Sequence, residues 1–223
     1  MSDLSQFVIP RGFRFGACRA GLKASGRTDF ALIVADAPAN AAAAFTANRV
    51  TAAPLTVDKE HLTATSGKVR VVAINAGNAN CAAGQAGLDA ARATCKAAAE
   101  TFGCKLEEVF PSSTGVIGVP LPVEKLIAAL PGLAATLGSK SDHFQQVAEA
   151  IMTTDTVEKT AFARLEVSTL GVDAVIAGCT TTGLRLALDR IFGSDTPIAR
   201  TAIDLMRVRE QRRGEDTAAD QSA

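Results

Sequence analysis

The 223-residue sequence has no tryptophan and no tyrosine, so ten phenylalanines are its only aromatic side chains. Histidine is nearly absent too. His61 and His143 are the only two, and the five cysteines form no CxxC pair, which removes the usual spacings of a zinc site. Cys18, Cys81, Cys95, Cys104 and Cys179 are odd in number, do not suggest a disulfide framework, and read as buried reduced thiols. There is no excess of either charge: 23 Lys plus Arg balance 23 Asp plus Glu, so no global field draws in nucleic acid or an anionic membrane. Also missing is any run near the ~18 apolar residues of a membrane span, and the N-terminus lacks the basic-then-apolar pattern of a secretory leader. The expectation is a cytoplasmic protein with a small neutral or zwitterionic partner and no bound metal.

What is present is aliphatic. Hydrophobic residues make up 48% of the chain, enough to bury the core of one generous domain or two small ones. Phe30 to Asp36 and Lys68 to Asn75 are short apolar runs rich in β-branched residues and bounded by turn formers, which predicts strands. Ala41 to Thr46 and Pro54 to Val57 are weaker strand candidates. Leu88, Ala91, Cys95, Ala98 and Phe102 recur at intervals of three and four, predicting a helix over 87–103 with Gly103 at its C-cap. Glu107 to Pro111 reads as a strand end, and Pro122 opens a helix through Leu130 that Pro131-Gly132 stops. Asp142 with Gln145 resembles a capping box before a helix that turns Phe144, Val147, Ala148 and Ile151 inward. Ala161 to Val167 and Val172 to Gly178 read as strands. The fold class is therefore α/β in mixed α+β layers, a layered sandwich rather than a doubly wound sheet.

Three polar segments stand out. Ser112-Ser-Thr-Gly-Val-Ile-Gly-Val-Pro120 is a small-residue turn whose hydroxyl and consecutive N–H groups either make a plain turn or hold a developing oxyanion. Asn75-Ala-Gly-Asn-Ala-Asn80 follows a strand and is either turn punctuation or a set of uncharged donors and acceptors. Thr153-Thr-Asp-Thr156 ends a helix and precedes Lys159: either its side chains bond their own backbone, or Asp155 receives an ammonium and Lys159 a carboxylate. Gly21 to Arg27 superficially suggests a phosphate loop, but it lacks the required spacing and no strand is evident before it. His61 and His143 fall beside predicted helix starts or surface turns, unlike a catalytic base.

Arg11-Gly-Phe13, Gly21-Leu-Lys23, Ser25-Gly-Arg-Thr-Asp29, Ala44-Phe-Thr46, Asn48-Arg49, Asn75 to Asn80, Ser113 to Pro122 and Ala148 to Thr156 together resemble the bifunctional glutamate N-acetyltransferase/ornithine acetyltransferase family of arginine biosynthesis. They occur in order over residues 11 to 167. The resemblance implies the layered sandwich of an autoprocessing enzyme, made as a precursor that cleaves itself before a threonine within an Ala-Thr-Met-Leu sequence. That threonine, on a second chain, would take acetyl from N-acetylornithine and pass it to glutamate, with acetyl-CoA as donor in some members and no other cofactor. By the same resemblance, Thr114 and Gly115 form the oxyanion hole. Thr153, Thr154, Asp155 and Thr156 border the substrate pocket, Thr154 foremost. A threonine hydroxyl is a weak nucleophile until its own α-amine takes its proton, and an oxyanion donor typically contributes ~3 kcal/mol.

The resemblance breaks after Ile176-Ala-Gly-Cys179. The family continues with Lys-Gly-Ser/Ala-Gly-Met-Ile and then its cleavage site, whereas this chain reads Thr180-Thr-Thr-Gly-Leu-Arg-Leu-Ala-Leu-Asp189. No nucleophile is therefore expected in this chain, which reads as an N-terminal-chain homologue, truncated or altered by deletion or frameshift, that works in a hetero-oligomer. A catalytically silent amino-acid-binding or scaffold protein is the alternative, and a hydrolase using Thr180, Thr181 or Thr182 is a third reading. Residues 1–179 form the expected domain, 180–213 a divergent helical segment, and 214–223 a disordered tail.

Overall fold

The computed structural model describes residues 9–167 and 172–180, which fall into two compact units. The unit Ile9–Glu158 holds β1 (Phe13–Cys18), β2 (Phe30–Asn40), α1 (Ala53–Ala64), β3 (Lys68–Asn78), α2 (Gly84–Phe102), β4 (Val109–Val116), α3 (Val123–Ala135) and α4 (Ser141–Ala150). In the other unit β5 (Lys159–Val167) and β6 (Val172–Thr180) pair as an antiparallel hairpin, in register from Lys159 opposite Thr180 to Val167 opposite Val172. The expectations for residues 180–213 and 214–223 lie outside the described residues, apart from Thr180.

The first four strands form one sheet in the order β1-β2-β3-β4. β2 runs antiparallel to both of its neighbours, β1 and β3, while β4 returns parallel to β3 through α2. One face of the sheet carries Phe30, Leu32 and Val34 of β2 with Val71 and Ala73 of β3. These pack with Val57 of α1, Ala91, Cys95 and Ala98 of α2, and Leu126, Leu130 and Leu133 of α3. The opposite face holds α4 against β1 and β2, with the Phe144 ring meeting Phe15 edge-on at 5.4 Å between centroids. Helices thus cover both faces, and β2 is buried at nearly every position from Phe30 to Ala35.

The layered α+β architecture, the strands at Phe30 and Lys68, and the helix capped by left-handed Gly103 (φ 60°) follow the sequence pattern. Several elements differ. Pro54 to Val57 is not a strand but the first turn of α1, where a proline preset to helical φ and the helix formers that follow outweigh two β-branched residues. Ala41 to Thr46 forms no strand. Pro131 lies inside α3 rather than ending it, because continuing the helix brings Leu133 onto the stripe with Leu126 and Leu130 while Pro131 and Gly132 face solvent. No capping box forms at α4: its N-cap is Lys140, and the Gln145 amide donates to Glu149 instead. β1, missed in the sequence, is placed by pairing with β2 and by Gly138 exchanging two backbone hydrogen bonds with Phe15 on its outer edge.

Candidate active site

β3 and β4 run side by side, with Asn75 opposite Ser113, Ala76 opposite Thr114 and Gly77 opposite Gly115. Ser112 to Val116, expected as part of a turn, are instead the end of β4, because each pairs with β3, and the chain bends only after Val116. Gly115 has φ 135°, and a Cβ there would sit 2.3 Å from the Gly77 carbonyl carbon and 2.6 Å from the Asn78 nitrogen. Only glycine fits, since backbone cannot give way as a flexible side chain would. The turn that follows is open to solvent, with Val116, Ile117 and Val119 all exposed, and Thr114 half-buried behind it.

The Asn75 to Asn80 run is spent on holding this end of the sheet. Ser113 Oγ donates to Asn75 Oδ1 at 2.6 Å, and the Asn75 amide donates to the Asn78 carbonyl at 2.8 Å. Asn78 donates to the carbonyls of Val119 and Pro120 at 3.1 and 3.2 Å, stapling the turn, and Asn80 donates to Gly87 at 2.9 Å. These buried amides shape the site rather than lining it, with Asn80 in the left-handed region at φ 46°.

The Gly21 loop follows a strand after all, since β1 ends at Cys18, yet its anion-binding amides are already occupied. The buried Asp29 carboxylate accepts hydrogen bonds from the N–H groups of Ala20, Gly21, Leu22 and Lys23, at 2.6 to 3.1 Å. The chain supplies its own anion to this nest, where a phosphate would otherwise go. From the nest the Lys23 side chain crosses toward the turn: its stem lies 3.3 Å from where a Cβ on Gly77 would be. Its ammonium donates to the carbonyls of Thr28 and Ala150, both at 2.8 Å. Burial, helped by Arg27 and opposed by Asp29, lowers the Lys23 pKa.

Ala150 is the last residue of α4, and Thr153 to Thr156 follow it as a bend. Thr153, Thr154 and Thr156 are exposed and Asp155 half-buried. A short chain of contacts thus links the predicted oxyanion pair to the predicted pocket segment: Gly115 on Gly77, Gly77 on Lys23, Lys23 on the end of α4. Lys159 begins β5, and its side chain lies outside the described residues. Sequence reasoning missed Lys23, Gly77 and Asp29 as parts of this arrangement. The available signal was a glycine-bearing loop closing on an acidic residue at the start of a strand.

The remaining reactive groups are structural. Burial pushes the thiols of Cys18 to about 11 and Cys95 to about 12, and raises Cys104, so all three stay protonated near neutral pH. Cys18, Cys81, Cys95 and Cys104 are free thiols, although of these only Cys95 is fully buried, against the expectation for the others. His61 is not at a surface turn but buried in α1, with Nδ1 2.8 Å from the Val109 carbonyl, which can only accept, so Nδ1 carries the proton. No group of three or more potential metal ligands occurs among the described residues. No described helix is long and apolar enough to cross a membrane.

Residues 14–183 match the ArgJ family. The arginine biosynthesis bifunctional protein ArgJ of Geobacter sulfurreducens is 48% identical over 171 residues, covering 75% of this chain and 41% of that protein. Its counterpart in Thermus thermophilus is 48% identical over 157 residues, covering 70% and 40%. The chain therefore spans about two fifths of the length of these relatives. Two solved structures share its fold at 35% identity, each covering 78% of this chain. One is the arginine biosynthesis bifunctional protein ArgJ of Bacillus halodurans, with a TM-score of 0.72 and 88% of the solved chain covered. The other is the ornithine acetyltransferase of Mycobacterium tuberculosis complexed with ornithine, with a TM-score of 0.71 and 91% covered. The chain belongs to the ArgJ family.

Proposed function

We propose that this chain supplies the oxyanion-stabilising part of an acetyltransferase site that moves acetyl from N-acetylornithine to glutamate in arginine biosynthesis. Gly115 carries the reading: a residue that must be glycine, pressed on Gly77 and followed by a solvent-open turn, presents backbone beside the Thr114 hydroxyl. That hydroxyl is bonded to no other described residue. Such preorganised donors stabilise the negative oxygen of a tetrahedral intermediate. Thr153, Thr154, Asp155 and Thr156 border the amino-acid pocket, with the Asp155 carboxylate suited to a substrate ammonium. Acetyl-CoA is an alternative donor, no metal or other cofactor takes part, and the setting is the cytoplasm.

In this reading the nucleophile is supplied from outside these residues. These 223 residues contain no Ala-Thr-Met-Leu sequence, and the chain covers 88% of a solved ArgJ chain but 41% of a full-length relative, which accords with a protein that works as two chains. Purified alone, the chain should bind ornithine in a calorimeter yet give negligible acetyl transfer from N-acetylornithine to glutamate. Robust turnover by the single chain would overturn the two-chain reading. A silent scaffold would instead bind neither ornithine nor glutamate.

A further inference from the structure

Lys23 is held at both ends. Its backbone N–H is one of the four donors to the buried Asp29 carboxylate, at 2.9 Å, and its ammonium is shared between the Thr28 and Ala150 carbonyls. The Ala150 carbonyl belongs to the last turn of α4, where carbonyls lack partners within the helix and a cation is favoured by the helix dipole. Between the two ends, the methylene stem of Lys23 passes Gly77, the residue against which Gly115 is pressed. The bond to Ala150 spans 127 positions of sequence and is made three residues before Thr153. Just past Ala150 the N–H groups of Ile151 and Met152 bond back to the Val147 and Glu149 carbonyls, so the Lys23 side chain takes the Ala150 carbonyl where the helix stops.

We propose that Lys23 is a positioning residue that sets the placement of Thr153 to Thr156 relative to Thr114 and Gly115. Through the α4 terminus it governs affinity for an amino acid substrate, a role that rests on the reading of the pocket given above. Lys23 need not touch substrate. It acts by holding the segment that does, and losing the ammonium frees that segment while the sheet stays intact.

The test compares the full chain with Lys23→Met, which keeps the stem against Gly77 but removes the donors, and with Lys23→Arg, which restores donors. Amide hydrogen exchange at residues 151–156, measured without ligand, should quicken about tenfold or more in Lys23→Met. It should stay within about threefold of wild type in Lys23→Arg, with β2 and β3 unchanged in both. Ornithine affinity by calorimetry should fall about tenfold in Lys23→Met and recover in Lys23→Arg. Unchanged exchange at 151–156 in Lys23→Met overturns the proposal, as does faster exchange with unchanged ornithine affinity. If wild type binds no ornithine, the pocket reading falls, while exchange still decides whether Lys23 holds the segment. Should Lys23→Met not fold cooperatively, Lys23→Gln, with a shorter neutral donor, takes its place and should shift both readouts in the same direction.

Discussion

At Gly115 two demands coincide: a positive φ of 135° and a neighbouring backbone 2.3 Å from any added Cβ. Gly115→Ala should therefore lower stability by about 2–4 kcal/mol, combining backbone strain with displacement of the β3–β4 ends, as read from urea denaturation. A loss under about 1 kcal/mol would mean that the two strand ends yield easily, and that the turn is not rigidly held. Asp29 is the second decisive residue. Its carboxylate satisfies four N–H groups at once, so Asp29→Asn, which replaces one accepting oxygen by a donating NH2, should destabilise by about 2–4 kcal/mol. Ser113-Thr-Gly115 stood out because hydroxyl and glycine are adjacent in sequence, but it read as a turn, and only pairing with β3 makes it the end of a strand. Asp29 and Lys23 were not, since their partners become visible only when the loop closes and α4 arrives from more than a hundred residues away.

Among the elements, the helices show where local pattern decides and where packing overrules it. α2 has a regular buried stripe and a glycine C-cap, and forms as its sequence indicates. α1 has no such clarity: it begins after Ala52, with no side-chain cap, and its first N–H reaches across to the Asn80 carbonyl at 3.1 Å. Ala52 has the extended backbone of an N-cap, φ −68° and ψ 151°, but no first-turn N–H is free for a side chain: Ala53 donates to Asn80, position 54 is a proline, and Leu55 donates to the Ala52 carbonyl at 3.1 Å. Ala52→Asp should therefore gain only the helix-dipole contribution, about 0.5 kcal/mol. A melting temperature raised by about a degree or two at low salt and by less at high salt checks this, and a rise of about 5 °C or more would show that the new carboxylate captures the Leu55 N–H. α3 illustrates the opposite balance. Proline in a helix interior costs about 3 kcal/mol, and burial of Leu133 returns most of it, which no window of local propensity registers.

For the whole molecule, pH acts through one buried carboxyl. Burial pushes the Asp58 carboxyl from its ordinary 3.8 to about 7, and one of its oxygens is buried without a hydrogen-bond partner. The unfolded chain releases this proton near pH 4, while the folded chain keeps it until about 7. On this group's account stability is fully present below about pH 4 and is lost as pH rises toward about 7. Thermal melts across that range should therefore slope less in Asp58→Asn than in wild type, with the variant the more stable by a few kcal/mol above about pH 8. Equal slopes would place Asp58 in contact with water. The sequence by itself determined the fold class, the central strands and α2, because each rests on periodicity, whereas it took Ser112 to Val116, the end of β4, for part of a turn. Only tertiary structure decided that the asparagines brace the turn, that Asp29 fills the nest, and that Lys23 joins the turn to the end of α4. Those contacts depend on burial and on backbone groups, which residue order does not display.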